Sequence, residues 1–307
     1  MSRASRKYLL SLLVFGSNGI IASQISLPSW QIVLLRTLLG GTLLALIVLG
    51  ARKRPAFLDH PHDAAYLAAS GAALGVGWIF LFEAYKLIGV GIASLAYYCG
   101  PVIVMALSPA LFHERLSPAK LLGFAAVICG AFLVVAQGQG VALSPWGLVC
   151  GGMSAAMYAV MVICSKRASN AVAGIEASAI QLVASFAAVA VFALVAHGSE
   201  LAVPLSANWP AILCLGLVNT GLGCYLYFSA MGQLPVQRVS VWGYLEPLSA
   251  VILSALILGE ALTPANVAGT ALILGGAIFC EVAGKRRGAE KTSRRLAGSR
   301  SASNLAA

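Results

Sequence analysis

The chain has 307 residues, 60% of them hydrophobic and only 10% charged, with a mean hydropathy of +0.90 and a formal net charge of +10. A soluble domain carries roughly a quarter charged residues, so this chain cannot cover itself with a polar surface. The composition excludes a soluble enzyme or a nucleic-acid-binding domain and leaves an all-α polytopic membrane protein.

A helix needs about 20 apolar residues to cross a bilayer core. Short turns divide the chain into ten such spans, at 8–27, 30–51, 64–85, 89–112, 117–136, 146–165, 175–197, 208–230, 236–259 and 264–284. Arg3, Arg6 and Lys7 before the first run resemble a signal peptide. The run is too long for a signal h-region and further spans follow, so it reads as a retained first helix. With the N-terminus inside, the inner segments collect Arg3, Arg6, Lys7, Arg52, Lys53, Arg54, Arg115, Lys120, Lys166, Arg167 and Arg238, together with every basic residue of the tail. Only Lys86 falls outside, and Arg36 lies within a span. That asymmetry predicts cytoplasmic N- and C-termini. The basic tail, 285–307, then reads as a disordered, lipid-facing cytoplasmic end and orientation signal, not a nucleic-acid site.

In the first span Asn18 sits near mid-depth, where an amide facing lipid is costly, so it turns toward protein or a cavity. Arg36, about two turns into the second span, either snorkels to the headgroups or pairs within the protein. The third span carries Trp78 and Phe82, and its end carries Glu83 and Lys86, spaced to pair with each other. Gly71/Gly75, and Gly147/Gly151 in the sixth span, have the small-residue spacing of close helix contacts.

In the fourth span Ser94, Tyr98, Pro101 and Ser108 share one helix face. Pro101 deprives the Tyr97 carbonyl of its helical donor, which predicts a kink. The fifth span opens with Ser117-Pro118, an N-cap followed by proline at the first helical position. Glu114 lies just upstream, with a structural role at the helix end.

The same stretch returns 146 residues later. Without a gap, Gly75–Ala131 matches Gly221–Ala277 at Gly75/Gly221, Gly77/Gly223, Phe82/Phe228, Ser94/Ser240, Tyr98/Tyr244, Pro101/Pro247, Ser108/Ser254, Glu114/Glu260, Pro118/Pro264, Gly123/Gly269 and Gly130/Gly276, among others. Pro247 therefore predicts a second kink at Gly243, and Thr263-Pro264 a second capped helix. Residues 1–136 form a first five-helix unit, 137–145 an outer linker and 146–284 a second unit. Five is odd, so the second copy sits upside down. Inverted repeats about an axis in the membrane plane are a common construction of secondary transporters, with the substrate at the repeat interface near the midplane.

Chemistry at mid-depth narrows the substrate. Glu246 alone lies near the centre of a span, opposite Gly100 of the first copy. It binds a substrate ammonium, carries a coupling proton or holds a helix contact. No basic cluster lies there, which disfavours phosphate-bearing substrates. Asn18, Trp78, Phe82, Tyr98, Tyr158, Tyr225, Trp242, Tyr244 and Glu246 are the candidate cavity residues. Aromatic walls suit uncharged, zwitterionic or aromatic solutes. Trp30, Trp146 and Trp209 instead begin spans, as an interfacial belt does. The seven cysteines lie in spans without CxxC spacing, and the four histidines form no ligand set, so neither a metal nor a cofactor is expected. HExxH and GxSxG motifs are absent, so no enzyme is expected.

The duplicated unit, the Pro101…Glu114-x-Leu-x-Pro118 and Pro247…Glu260-x-Leu-x-Pro264 signatures, Arg36 and the basic tail resemble the drug/metabolite transporter superfamily, in its ten-helix EamA-domain branch. Within it the chain is similar to the YddG-type aromatic amino acid exporters of bacterial inner membranes. The resemblance implies a monomeric basket of ten helices around a central cavity. It also implies export of small metabolites, aromatic and other neutral amino acids first, by alternating access. Multidrug or cationic-drug export and lipid flipping are the alternatives.

Overall fold

The computed structural model describes residues 2–282 apart from 23, 52–53, 114–116, 136–143, 169–170, 173, 199–206, 259–263, 266, 277 and 280–281. Glu114, Glu260, most of the 137–145 linker and the basic tail lie outside the described residues. All regular structure among the described residues is helical. The chain runs through α1 Arg3–Gly16, α2 Asn18–Ala22, α3 Ser29–Gly50, α4 Pro61–Tyr97, α5 Cys99–Phe112, α6 Pro118–Val135, α7 Pro145–Arg167 and α8 Ile175–His197. It continues through α9 Trp209–Leu213, a π-helical segment Cys214–Leu222, α10 Gly223–Met231, α11 Val236–Gly243, α12 Leu245–Leu258 and a last short helix, α13, Val267–Gly276.

Five stretches are long and apolar enough to cross a membrane: Ser29–Gly50, Pro61–Ile88, Pro145–Arg167, Ile175–His197 and Trp209–Met231. Leu46, Leu49, Val195, Leu256 and Phe132 stand exposed on their helices, as on a surface facing hydrocarbon instead of water. One boundary departs from expectation. The sequence places a turn at 86–88, but α4 continues as 37 helical residues, about 55 Å at 1.5 Å per residue. No proline interrupts this stretch, so no backbone donor is lost. Glu83 and Lys86 form no ion pair there.

The proline kinks appear where sequence puts them. The helix breaks at Tyr98, between α4 and α5, and again at Tyr244, between α11 and α12. Pro101 and Pro247 fall in the first turn of the second half-helix, where a missing N–H costs nothing. The two breaks touch. The Tyr244 hydroxyl donates to the Tyr98 carbonyl at 2.5 Å, and the two rings lie 5.8 Å apart.

Other contacts between the copies come in exchanged pairs. α1 packs on α10 and α7 on α4; α3 packs on the π segment and α8 on α4; α1 packs on α12 and α7 on α5. Glycines make the tightest crossings possible. A Cβ on Gly130 would lie 2.6 Å from the Gly269 carbonyl oxygen, and one on Gly276 would lie 2.5 Å from that of Gly123. A Cβ on Gly71 would overlap the backbone of Gln181, and one on Gly151 would sit 2.6 Å from Ala96. Small residues bring membrane helices this close because packing, not hydrophobic burial, holds them together. Polar groups add to it: Ser70 on α4 donates to the Met161 carbonyl at 2.8 Å and lies 2.6 Å from Gln181 Oε1.

Candidate substrate cavity

Three interrupted helices surround the centre. The first span breaks at Ser17, between α1 and α2, and Asn219 of the π segment holds the break. Its amide nitrogen reaches the Val14 carbonyl at 2.9 Å, Ser17 Oγ at 2.8 Å and Asn18 Oδ1 at 3.1 Å. Helix ends inside a membrane leave backbone groups that only such partners satisfy. The π segment has its own side-chain bond, from Thr220 Oγ1 to the Leu215 carbonyl at 2.8 Å, five residues back. Insertions of this kind recur at functional sites.

Between these breaks lie two small chambers. The larger, about 40 Å³, is lined by Phe15, Asn18, Leu74, Trp78, Tyr97, Tyr158, Met161, Cys224, Tyr227, Phe228 and Glu246. That space is on the order of three waters. The smaller, about 10 Å³, is lined by Tyr8, Leu12, Tyr97, Tyr98, Pro101, Tyr158, Tyr227, Gly243 and Glu246. Tyr97, Tyr158, Tyr227 and Glu246 line both and so stand between them. The Tyr158 and Tyr227 hydroxyls, 3.3 Å apart, join α7 to α10 across this septum. Tyr97 meets Tyr158 edge-on at 5.5 Å, and Tyr8 lies 5.1 Å from Tyr227 with its hydroxyl on the Val239 carbonyl at 2.9 Å. Gly100 makes room for this arrangement, since a Cβ there would sit 2.7 Å from the Tyr158 ring.

Arg36 stands behind the larger chamber. It is 3% exposed, so it does not snorkel. Its Nε donates to Thr220 Oγ1 at 2.9 Å, and its guanidinium carbon lies 4.1 Å from the centre of the Trp78 ring.

Of the residues expected in the cavity, the structure brings Asn18, Trp78, Tyr158 and Glu246 together in the larger chamber and adds Tyr98 in the smaller. Phe82, Tyr225, Trp242 and Tyr244 line neither. Phe82 packs edge-on against Tyr85. Tyr225 receives Lys7 Nζ at 3.1 Å, Trp242 stacks under Arg238 at 5.4 Å, and Tyr244 lies between Tyr98 and Phe124. Pro101 lines the smaller chamber, and Pro247 falls in α12. Pro118 and Pro264 are exposed.

Tyr97 and Tyr227 stand out in the sequence as central aromatics, though not among the nine candidates, whereas Phe228, Tyr8 and Asn219 are the residues sequence reasoning left out. Phe228 repeats Phe82, and Asn219 is a lone amide deep in a span, the same signal that singled out Asn18.

A profile of the EamA-like transporter family matches the chain twice, over residues 8–136 and 145–281. The chain is 23% identical to the transporter YxxF of Bacillus subtilis over 84% of its length and 83% of that protein's. It is 29% identical to the aromatic amino acid exporter YddG of Ancylobacter novellus, over 67% of this chain and 72% of that one. It is 27% identical to a probable amino-acid metabolite efflux pump of Salmonella typhimurium, over 72% and 77%. A solved crystal structure superposes with a TM-score of 0.75 at 21% identity, over 91% of this chain and 98% of that one, and so shares the fold.

Proposed function

Since the chain belongs to the EamA-like transporter family, within the drug/metabolite transporter superfamily, we propose that it exports small metabolites, aromatic and other neutral amino acids first, by alternating access. The observation that carries this reading is the aromatic septum of Tyr97, Tyr158 and Tyr227 around one carboxylate, Glu246, between three broken helices. Ring faces suit an apolar side chain, and the carboxylate suits an ammonium. In this reading ten spans form two inverted five-helix copies, with both termini cytoplasmic in a bacterial inner membrane and the protein a monomer.

The reciprocal glycine contacts of Gly130 with Gly269 and of Gly276 with Gly123 support the two-fold, since exchanging the copies maps each contact onto the other. Tyr98 and Tyr244 then meet on the axis, so movement at one break is felt at the other. The names of the Ancylobacter and Salmonella relatives support the substrate class. A cationic-drug exporter is the second reading, favoured by the same pairing of aromatic rings with Glu246.

The test is uptake of labelled phenylalanine, tryptophan and threonine into liposomes holding the purified protein, with and without a pH gradient. Saturable uptake blocked by competing aromatic amino acids supports the reading. Uptake no greater than in empty liposomes refutes the substrate, and a panel of cationic drugs then tests the second reading.

A further inference from the structure

We infer that Arg36 and Glu246 are the two poles of a zwitterion site, Arg36 taking the carboxylate of an α-amino acid and Glu246 its ammonium. The inference rests on the exporter reading and adds which groups recognise the ligand's head. Arg36 is buried to 3% exposure, yet its Nη2 has no hydrogen-bond partner. Buried polar atoms are nearly always paired, so an unpaired guanidinium N–H asks for a ligand. Glu246 lines both chambers, and no ion pair joins it to Arg36. Neither charge is therefore cancelled by an ion pair with the other.

A molecule bearing both signs satisfies the two poles at once. An amine alone leaves the guanidinium unmatched, and an acid alone leaves the carboxylate unmatched. Arg36 suits this role because its planar fork matches a carboxylate in two parallel bonds. One bond, from Nε to Thr220, fixes the fork, and the Trp78 face holds it from the chamber side. Trp78 thus divides Arg36 from the space where Phe15, Tyr97 and Phe228 offer ring faces to the ligand's side chain. The site requires that indole to turn aside, so that a ligand in the chamber reaches Nη2. Each sequence copy contributes one pole, and the first copy has Gly100 where the second has Glu246, so the site takes its ligand in one orientation.

The experiment compares phenylalanine, phenethylamine and 3-phenylpropionate as ligands of the purified protein, by Kd, alongside phenylalanine uptake in liposomes. Wild type is expected to bind phenylalanine at least tenfold more tightly than either analogue. Arg36→Gln is expected to weaken phenylalanine at least tenfold while leaving phenethylamine unchanged. Glu246→Gln is expected to do the converse, sparing 3-phenylpropionate, and Arg36→Lys to restore part of the preference. Equal binding of phenylalanine and phenethylamine by wild type overturns the site while leaving an exporter in place. Equal weakening of all three ligands by Arg36→Gln and Arg36→Lys assigns Arg36 to the fold and overturns it too. If wild type neither binds nor moves phenylalanine, the exporter reading falls and this inference with it.

Discussion

Replacing Asn219 with leucine removes the amide that bridges the break in the first span while keeping the side chain's size. Two N–H groups serve three acceptors there, at 2.8 to 3.1 Å. Each net hydrogen bond is worth about 0.5–1.5 kcal/mol, and the Val14 carbonyl loses this partner. The sum is about 1–3 kcal/mol. At about 2–4 °C per kcal/mol for a chain approaching this length, a loss near 2 kcal/mol lowers the melting temperature by about 4–8 °C. Ser17→Ala removes one acceptor of that amide and also the Ser17 hydroxyl's own bond to the Val14 carbonyl at 2.7 Å, so its effect is expected to be of similar size. Thermal unfolding of the three proteins in one detergent measures this, and phenylalanine uptake reports whether the chamber survives. An Asn219→Leu protein melting within 1 °C of wild type and transporting normally would falsify the bridging role.

Four further outcomes follow from the geometry. Gly71→Ala pushes a methyl into the Gln181 backbone and is expected to destabilise by about 1–3 kcal/mol. Gly152→Ala meets nothing within 4 Å and is expected to stabilise by up to about 1 kcal/mol; equal melting temperatures would contradict both. Tyr244→Phe cuts the bond between the two helix breaks, which costs about 0.6 kcal/mol by the average for membrane helices. Its melting temperature is expected to fall by under about 3 °C and its turnover to change with KM unaltered, whereas unchanged turnover would separate the breaks from the transport cycle. Gly100→Ala is expected to abolish uptake while the protein still inserts, because the methyl displaces Tyr158 from the septum; normal uptake would show that the septum tolerates the shift.

Local chemistry written along the chain was legible without coordinates. Hydropathy marked the apolar helices, since a bilayer demands about 20 apolar residues wherever they occur. Pro101 and Pro247 announced the breaks at Tyr98 and Tyr244, because a missing N–H acts on the carbonyl four residues back whatever surrounds it. The repeat paired Gly130 with Gly276 and Tyr98 with Tyr244 by sequence alone. Glu246 was conspicuous because a charge at mid-depth is costly anywhere.

Facing and partnership were decided only by tertiary structure. Tyr225 and Tyr227 are two residues apart on one helix and point in different directions, so sequence had to choose between them by phase. The nine-residue π segment just before them, Cys214–Leu222, replaces i→i+4 bonds with i→i+5 bonds and rotates that phase. Tyr227 therefore enters the septum, and Tyr225 turns to Lys7. Arg36 could be read as snorkelling or paired until Trp78 and Thr220, from two other helices, were seen to enclose it. Periodicity describes one helix at a time, whereas a cavity is made where several helices meet.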